Sequence, residues 1–409
     1  MFCLYPRLAF AIALTLAAGL GRAADTGYQV FDLGVLDGTI SSSALGINNH
    51  GQVVGQAAGE NVLLPTAFLW SEATGMQDLS ASLPDSLRSI AYGVNNDGGV
   101  VGEVRYPVLG FRAFALNTQT SNVQIGLIEG GNRSDARAIN SSGVVAGRSN
   151  YVVDLGGGTQ LFPFRATSWA PGSDPVKLNA LVENNGSSAF GRGINENGVI
   201  VGTSIDSNSV SRGVAWLASG ELVELLPFVG PGQSDTGSSA NGINDDSGLI
   251  VGTTTGTDSG RAAIWTLPAG PGTAAAELLG QSDPNAKDNA LDINNAGDAV
   301  GYADHGNSLL HAVVWDENGI ALDLSTDGIF VDASGQRITL AQAGFNLLSV
   351  ANALNDNGWI VGQGMTGDGS LHAFLLKPAV AVPEPQTWAL LLAGLAGLGW
   401  LRRASARRS

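Results

Sequence analysis

The sequence predicts an all-β fold, a seven-bladed β-propeller of four-stranded blades closed by its N-terminal strand, and three observations carry that prediction. A phrase of about thirteen residues recurs seven times, a strand usually ending in tryptophan follows each copy, and one strand stands spare at the start where the last copy lacks one. An open β-solenoid would use the same repeats without needing the spare strand.

The phrase reads "ALGINNHGQVVGQ" at 44–56, "AYGVNNDGGVVGE" at 91–103 and "ANALNDNGWIVGQ" at 351–363. Aligned on one asparagine, the copies fall at Asn48, Asn95, Asn140, Asn195, Asn244, Asn294 and Asn355, spacings that suit one small four-stranded sheet per unit. Asn, Asp and Gly dominate the turn that follows, and they tolerate the backbone of a tight hairpin. Gly51, Gly98, Gly143, Gly198, Gly297 and Gly358 stand where a left-handed residue is expected, whereas "NDDSG" puts Gly248 one position later and predicts a longer turn.

Alternation in "ALGIN" places the small residues and Asn on one face and Ile on the other, as befits an innermost strand crowded by its neighbours. "QVVG" returns antiparallel to it. The third strand, "AFLW" in the first copy, repeats a large core filler at Trp70, Trp169, Trp216, Trp265 and Trp315, with Leu116 and Leu376 in the other copies. Fourth strands follow in "MQDL", "VQIGL", "VKLNAL", "LVELL", "AAELL" and "IALDL", but the seventh copy runs on into the C-terminal tail. "YQVFDLG", 28–34, is of the fourth-strand type and fills that vacancy, which gives seven sheets of four in a ring with only short, protected edges.

The two ends are of another kind. Residues 1–23 combine Arg7, an apolar run and small residues near Ala23, the pattern of a secretory signal peptide. The single cysteine, Cys3, lies within it, so the propeller expected over 24–379 holds neither a disulfide nor a thiolate nucleophile. Residues 380–409 carry a short polar motif, an apolar run from Thr387 to Leu401 that is marginal for a span, and an arginine cluster expected to stay cytoplasmic. This tail resembles the PEP-CTERM sorting signal, in which Pro383, Glu384 and Pro385 match the motif cut by an exosortase-type protease; a plain C-terminal anchor is the simpler alternative. The repeats in turn resemble the HAF repeat of bacterial extracellular proteins, most fully at His372-Ala373-Phe374 and less so in "TAFLW" and "RAFAL". These resemblances imply an exported protein of the cell surface or matrix, with the export machinery and an exosortase as partners and transient membrane anchoring through the tail. They bring no assigned activity.

The chain of 409 residues has a net charge of −16, and loss of the terminal arginines leaves it more acidic still. Nucleic acid and anionic lipid are disfavoured as partners, whereas cations and neutral or basic glycans remain compatible. Catalytic motifs are absent: no G-x-S-x-G, no P-loop, no dinucleotide fingerprint. No catalytic residue, cofactor or metal ligand set is therefore nominated; the four histidines show no zinc spacing, and the Asp/Asn-rich turns do not follow a calcium-loop pattern.

Two recurrent positions are candidates. A basic residue opens six of the seven third strands: Arg112, Arg165, Arg212, Arg261, His311 and His372. It forms either a ring of cations around one ligand or a structural pair inside each blade, and sevenfold recurrence favours the pair. The seven asparagines either line a polar channel or cap their hairpins, and capping is the simpler explanation. Trp359 is read as core rather than as a sugar platform. The expected function is a non-catalytic surface or matrix protein binding glycan or protein partners through the propeller loops, in association with extracellular polysaccharide. A propeller-fold polysaccharide lyase or hydrolase is the alternative, and calcium-dependent adhesion a third.

Overall fold

The computed structural model describes residues 27–379, apart from 61–63, 121, 171, 184–185, 231–232, 257–259 and 307–308. Within them seven β-sheets form a ring, a seven-bladed β-propeller, and the only helix is the 3-10 turn Ser80–Ser82. The signal peptide expected over residues 1–23 and the C-terminal tail both lie outside the described residues, and among those described no helix is long and apolar enough to cross a membrane.

The innermost strands are Ser41–Ile47, Arg88–Val94, Ser134–Ile139, Ala189–Ile194, Gly237–Ile243, Lys287–Ile293 and Phe345–Leu354 in blades 1 to 7. Each is followed outward by two antiparallel strands and a shorter fourth, which shrinks to Val176–Lys177 in blade 3 and Glu277–Leu278 in blade 5. Tyr28–Asp32 pairs antiparallel with Leu371–Pro378, in a register running from Tyr28 opposite Pro378 to Asp32 opposite Phe374. The ring is thus closed by joining the two ends of the chain, and the spare strand is the missing one.

The sheets are not uniformly four-stranded. The hairpin of Phe330–Val331 with Arg337–Ile338 extends blade 7 by running parallel to Tyr28, and Gly272–Ala274 runs parallel to Leu222–Leu225 as a fifth strand of blade 4. These additions come from the long connections between copies, where no periodicity announces a strand.

Packing explains the tryptophans. Trp169, Trp216, Trp265 and Trp315 are nearly fully buried and pack against the small or β-branched residues of the preceding blade, Trp315 against Val251 and Ala262 for example. Their indole N–H groups donate to backbone: Trp216 to Asn179 at 2.7 Å, Trp265 to Leu226 at 2.8 Å and Trp315 to Gly280 at 2.7 Å. Each acceptor lies just past the preceding blade's outer strand, so one side chain both fills and pins a seam. Trp70 is only half-buried.

Candidate functional site: the central channel and its two mouths

Every innermost strand contains a β-bulge at the same place, between Ala44 and Gly46 in blade 1 and between Ala351 and Ala353 in blade 7. The alternation expected through "ALGIN" is therefore interrupted by one extra residue. Facing each bulge is the glycine that ends the "VVG" of the second strand: Gly55 pairs with Ala44 and Gly102 with Ala91. A Cβ at Gly102 would overlap the carbonyl oxygen of Ile90, and one at Gly301 that of Asn289. The repeated glycine is therefore imposed by the repeated bulge.

Toward one end of the channel the seven asparagines form a ring. All are buried. In each, Oδ1 accepts a backbone N–H across its own hairpin, from Gln52 to Asn48 at 2.9 Å and from Val199 to Asn195 at 2.9 Å. In the long fifth turn the donor is Leu249, one residue later, to Asn244 at 2.8 Å. Each Nδ2 then donates to the backbone carbonyl of the corresponding asparagine one blade on. The sequence of bonds is Asn48 to Asn95 at 2.8 Å, Asn95 to Asn140 at 2.8 Å, Asn140 to Asn195 at 3.2 Å and Asn195 to Asn244 at 3.2 Å. It continues from Asn244 to Asn294 at 3.3 Å, Asn294 to Asn355 at 3.4 Å and, across the two ends of the chain, Asn355 to Asn48 at 2.9 Å. Hairpin capping uses only the oxygen; the amide nitrogen links the blades, a use invisible in the sequence because it depends on closure.

The next residue of each copy lines the mouth outside this ring. Asp245 N–H donates to Asn295 at 2.8 Å, Asn295 N–H to Asp356 at 3.0 Å and Asp356 N–H to Asn49 at 3.0 Å, so acids and amides here are occupied with one another. The cavity they enclose holds about 200 Å³.

The opposite mouth is built from the bulge residues, one per blade: Leu45, Tyr92, Arg137, Arg192, Asn241, Leu291 and Asn352. Here the copies disagree. Arg137 lies over the Tyr92 ring at 4.0 Å and is bonded to buried Asp135 at 2.7 Å. Arg148 holds the other oxygen of Asp135 at 2.6 Å, which leaves that carboxylate neutralised. Arg192, by contrast, makes no ion pair among the described residues and donates to the Asn241 side chain at 2.8 Å. It is solvent-accessible although protein surrounds it, and burial, then the Arg137 and Arg148 guanidiniums, lower its pKa.

Between the mouths stands a second exception. Asp292 occupies the position held by Gly46, Gly93, Gly193 and Gly242 in other blades. Its carboxylate accepts from Ile293 N–H at 3.0 Å and Leu354 N–H at 3.1 Å. Burial, against those two hydrogen bonds and with Asp356 and Asp245 nearby, pushes it up to about 6.

The six basic positions are dispersed, one to a blade. Arg112 donates to the carbonyls of Phe111 at 2.9 Å and Asn132 at 2.7 Å; Arg165 lies 3.5 Å from Glu183; Arg212 meets Asp206 at 3.0 Å. His311 meets Asp323 at 2.7 Å and His372 meets Asp32 at 3.0 Å, while half-buried Arg261 stands near Asp288. Pro383, Glu384 and Pro385 lie outside the described residues. Trp359 packs against the core shared by blades 7 and 1, covered by Lys377 at 4.2 Å.

Sequence reading missed a local imbalance. Residues 88 to 192, blades 2, 3 and the start of 4, carry eight arginines and one lysine against seven acids, within a chain of net charge −16. The strand registers set most of these arginines level with the outer ends of the innermost strands: Arg105 opposite Arg88, Arg148 opposite Asp135, Arg165 opposite Ser149. That is the side of the bulge mouth.

Among solved structures, the chain is similar to a Trypanosoma rangeli sialidase in complex with the inhibitor DANA, at 10% identity and a TM-score of 0.37 over 88% of this chain and 57% of that one. It is also similar to the S. cerevisiae core factor, at 9% identity and a TM-score of 0.34, over 93% of this chain and 68% of that one. The chain thus spans less than two thirds of the sialidase, and neither likeness bears on function. No curated protein matches. The PEP-CTERM protein-sorting motif matches residues 381–408, so an exported seven-bladed propeller ends in a PEP-CTERM sorting signal that implies recognition by an exosortase and transient membrane anchoring.

Proposed function

We propose that this protein is a non-catalytic component of the cell surface or extracellular matrix that binds an anionic glycan at the bulge-side mouth. Arg192 carries the reading: an accessible guanidinium with no carboxylate partner among the described residues, set in a net-positive sector of an acidic chain. Guanidinium recognises carboxylate or sulfate by paired hydrogen bonds, and Tyr92, under Arg137, and the amide of Asn352 line the same mouth. The expectation of neutral or basic glycans, drawn from net charge, is replaced here by a local argument. Acidic polysaccharide approaching elsewhere is repelled, so the surface field confines binding to this sector.

The test is titration of the purified protein with polygalacturonate at low and moderate salt, in parallel with Arg192→Ala. Saturable, salt-sensitive binding that falls at least tenfold in the variant is expected. Equal binding by both proteins contradicts the reading. Unsaturated or reducing-end product accumulating in proportion to protein would instead favour the lyase or hydrolase.

A further inference from the structure

We propose that blade 6 contains a binding site for a single divalent transition-metal ion of the zinc class, with His305, His311 and Asp323 as protein ligands. The site lies apart from the channel and is independent of the glycan reading.

The three residues come from different segments. His305 follows the second strand, Ala299–Asp304; His311 belongs to the third, Leu310–Trp315; Asp323 ends the fourth, Ala321–Asp323. One ligand atom from each lies within 4.8 Å of the others. The two imidazole rings are 4.4 Å apart and tilted at 48°.

The atoms around them are already committed in the way a metal site requires. His305 Nδ1 bonds Asp283 Oδ2 at 3.0 Å, which fixes the Nδ1–H tautomer and leaves the Nε2 lone pair free. That Nε2 is buried, has no hydrogen-bond partner among the described residues and lies 3.8 Å from Asp323 Oδ2. Two facing acceptors repel unless a proton or a cation lies between them. Asp323, 4% exposed, has its Oδ1 occupied by the Ser325 N–H at 2.8 Å and the Thr326 N–H at 3.2 Å, so that only Oδ2 turns toward the histidines. His311 Nδ1 approaches this oxygen at 2.7 Å.

Blade 7 supplies the contrast. There His372 occupies the position of His311 and pairs with Asp32 at 3.0 Å, but no second histidine joins them. A His–Asp pair therefore needs no metal to be stable in this fold, and what blade 6 adds is an oriented, unpaired imidazole nitrogen. Two imidazoles and one carboxylate match zinc, whereas calcium takes oxygen ligands almost exclusively. With three protein ligands the ion keeps a fourth position for water or for a group from a partner.

The experiment is calorimetric titration of the purified, chelator-treated protein with Zn2+, with Co2+ absorption as a second readout of coordination geometry. One equivalent of Zn2+ is expected to bind, and Co2+ to give the visible bands of a low-coordinate site. His305→Gln is expected to weaken binding by at least a hundredfold and Asp283→Asn by about tenfold, as loss of a histidine's orienting partner does. His372→Gln is expected to leave it unchanged. Absence of saturable uptake by the parent protein, or uptake indifferent to both His305→Gln and Asp283→Asn, overturns the proposal. Circular dichroism of each variant shows whether it is folded, and the milder Asp283→Asn keeps the test decisive if His305→Gln is not.

Discussion

The two mouths of the central channel are made by the same seven innermost strands, three residues apart in each, yet they obey opposite rules. At one, the same asparagine recurs in every blade and its amide closes a ring of seven hydrogen bonds. At the other, three positions earlier, the copies divide among four residue types, Leu, Tyr, Arg and Asn. Recurrence marks what the ring needs for its own closure, since each blade faces the same geometric problem. Divergence marks positions the scaffold leaves free, and those are where selectivity for an external molecule can reside.

The comparison can be broken most severely where the repeat is obligatory. Deleting residues 28–32 removes the strand that joins blade 7 to the chain's start and is expected to abolish cooperative thermal unfolding altogether; an unchanged single transition in calorimetry would show that closure is dispensable. Gly102→Ala sets a methyl against the Ile90 carbonyl opposite the bulge, and a loss of roughly 3 kcal/mol or more is expected by urea denaturation. Asn140→Ala removes both the cap on Val144 N–H, 2.9 Å, and the link to blade 4, and a loss of about 2–3 kcal/mol is expected.

Asp292 sharpens the contrast, because here chemistry enters a position that is otherwise scaffold. Its carboxyl is raised from 3.8 to about 6, so the folded protein holds this proton more tightly than the unfolded chain does. The associated stability is full below about pH 4 and is lost as pH rises through about 6. Asp292→Gly, which gives blade 6 the residue of blades 1, 2, 4 and 5, is expected to flatten that decline and to stabilise the protein by about 1 kcal/mol at pH 7 after allowance for channel water. Asp288, likewise pushed up to about 6 by burial, and Glu103, raised by burial, contribute to the remaining slope. A pH profile identical to that of the parent would contradict this assignment.

Most of the architecture was legible in the sequence because a repeat states its constraints many times. Asn48 and its six counterparts, the hairpin glycines and the spare "YQVFDLG" strand each follow from local pattern and from the need to cover edges. What escaped depends on neighbours that only the closed ring supplies. The bulge and its facing glycine were hidden inside an alternation that looked complete. The Nδ2 bonds join residues between 45 and 307 positions apart. The basic sector from Arg88 to Arg192 was concealed by a strongly negative total, and His305 with His311 carries no recognised spacing because a loop and two strands bring the site together.

The division between scaffold and recognition is tested most directly by measuring urea stability and polygalacturonate affinity in the same two variants, Asn140→Ala and Arg192→Ala. The account predicts that Asn140→Ala lowers the midpoint while the folded fraction binds as before. Arg192→Ala should bind at least tenfold more weakly, with its midpoint within about 0.5 kcal/mol of the parent. If Arg192→Ala keeps full affinity, or if both variants lose stability and binding in equal measure, the two mouths do not divide the labour in this way.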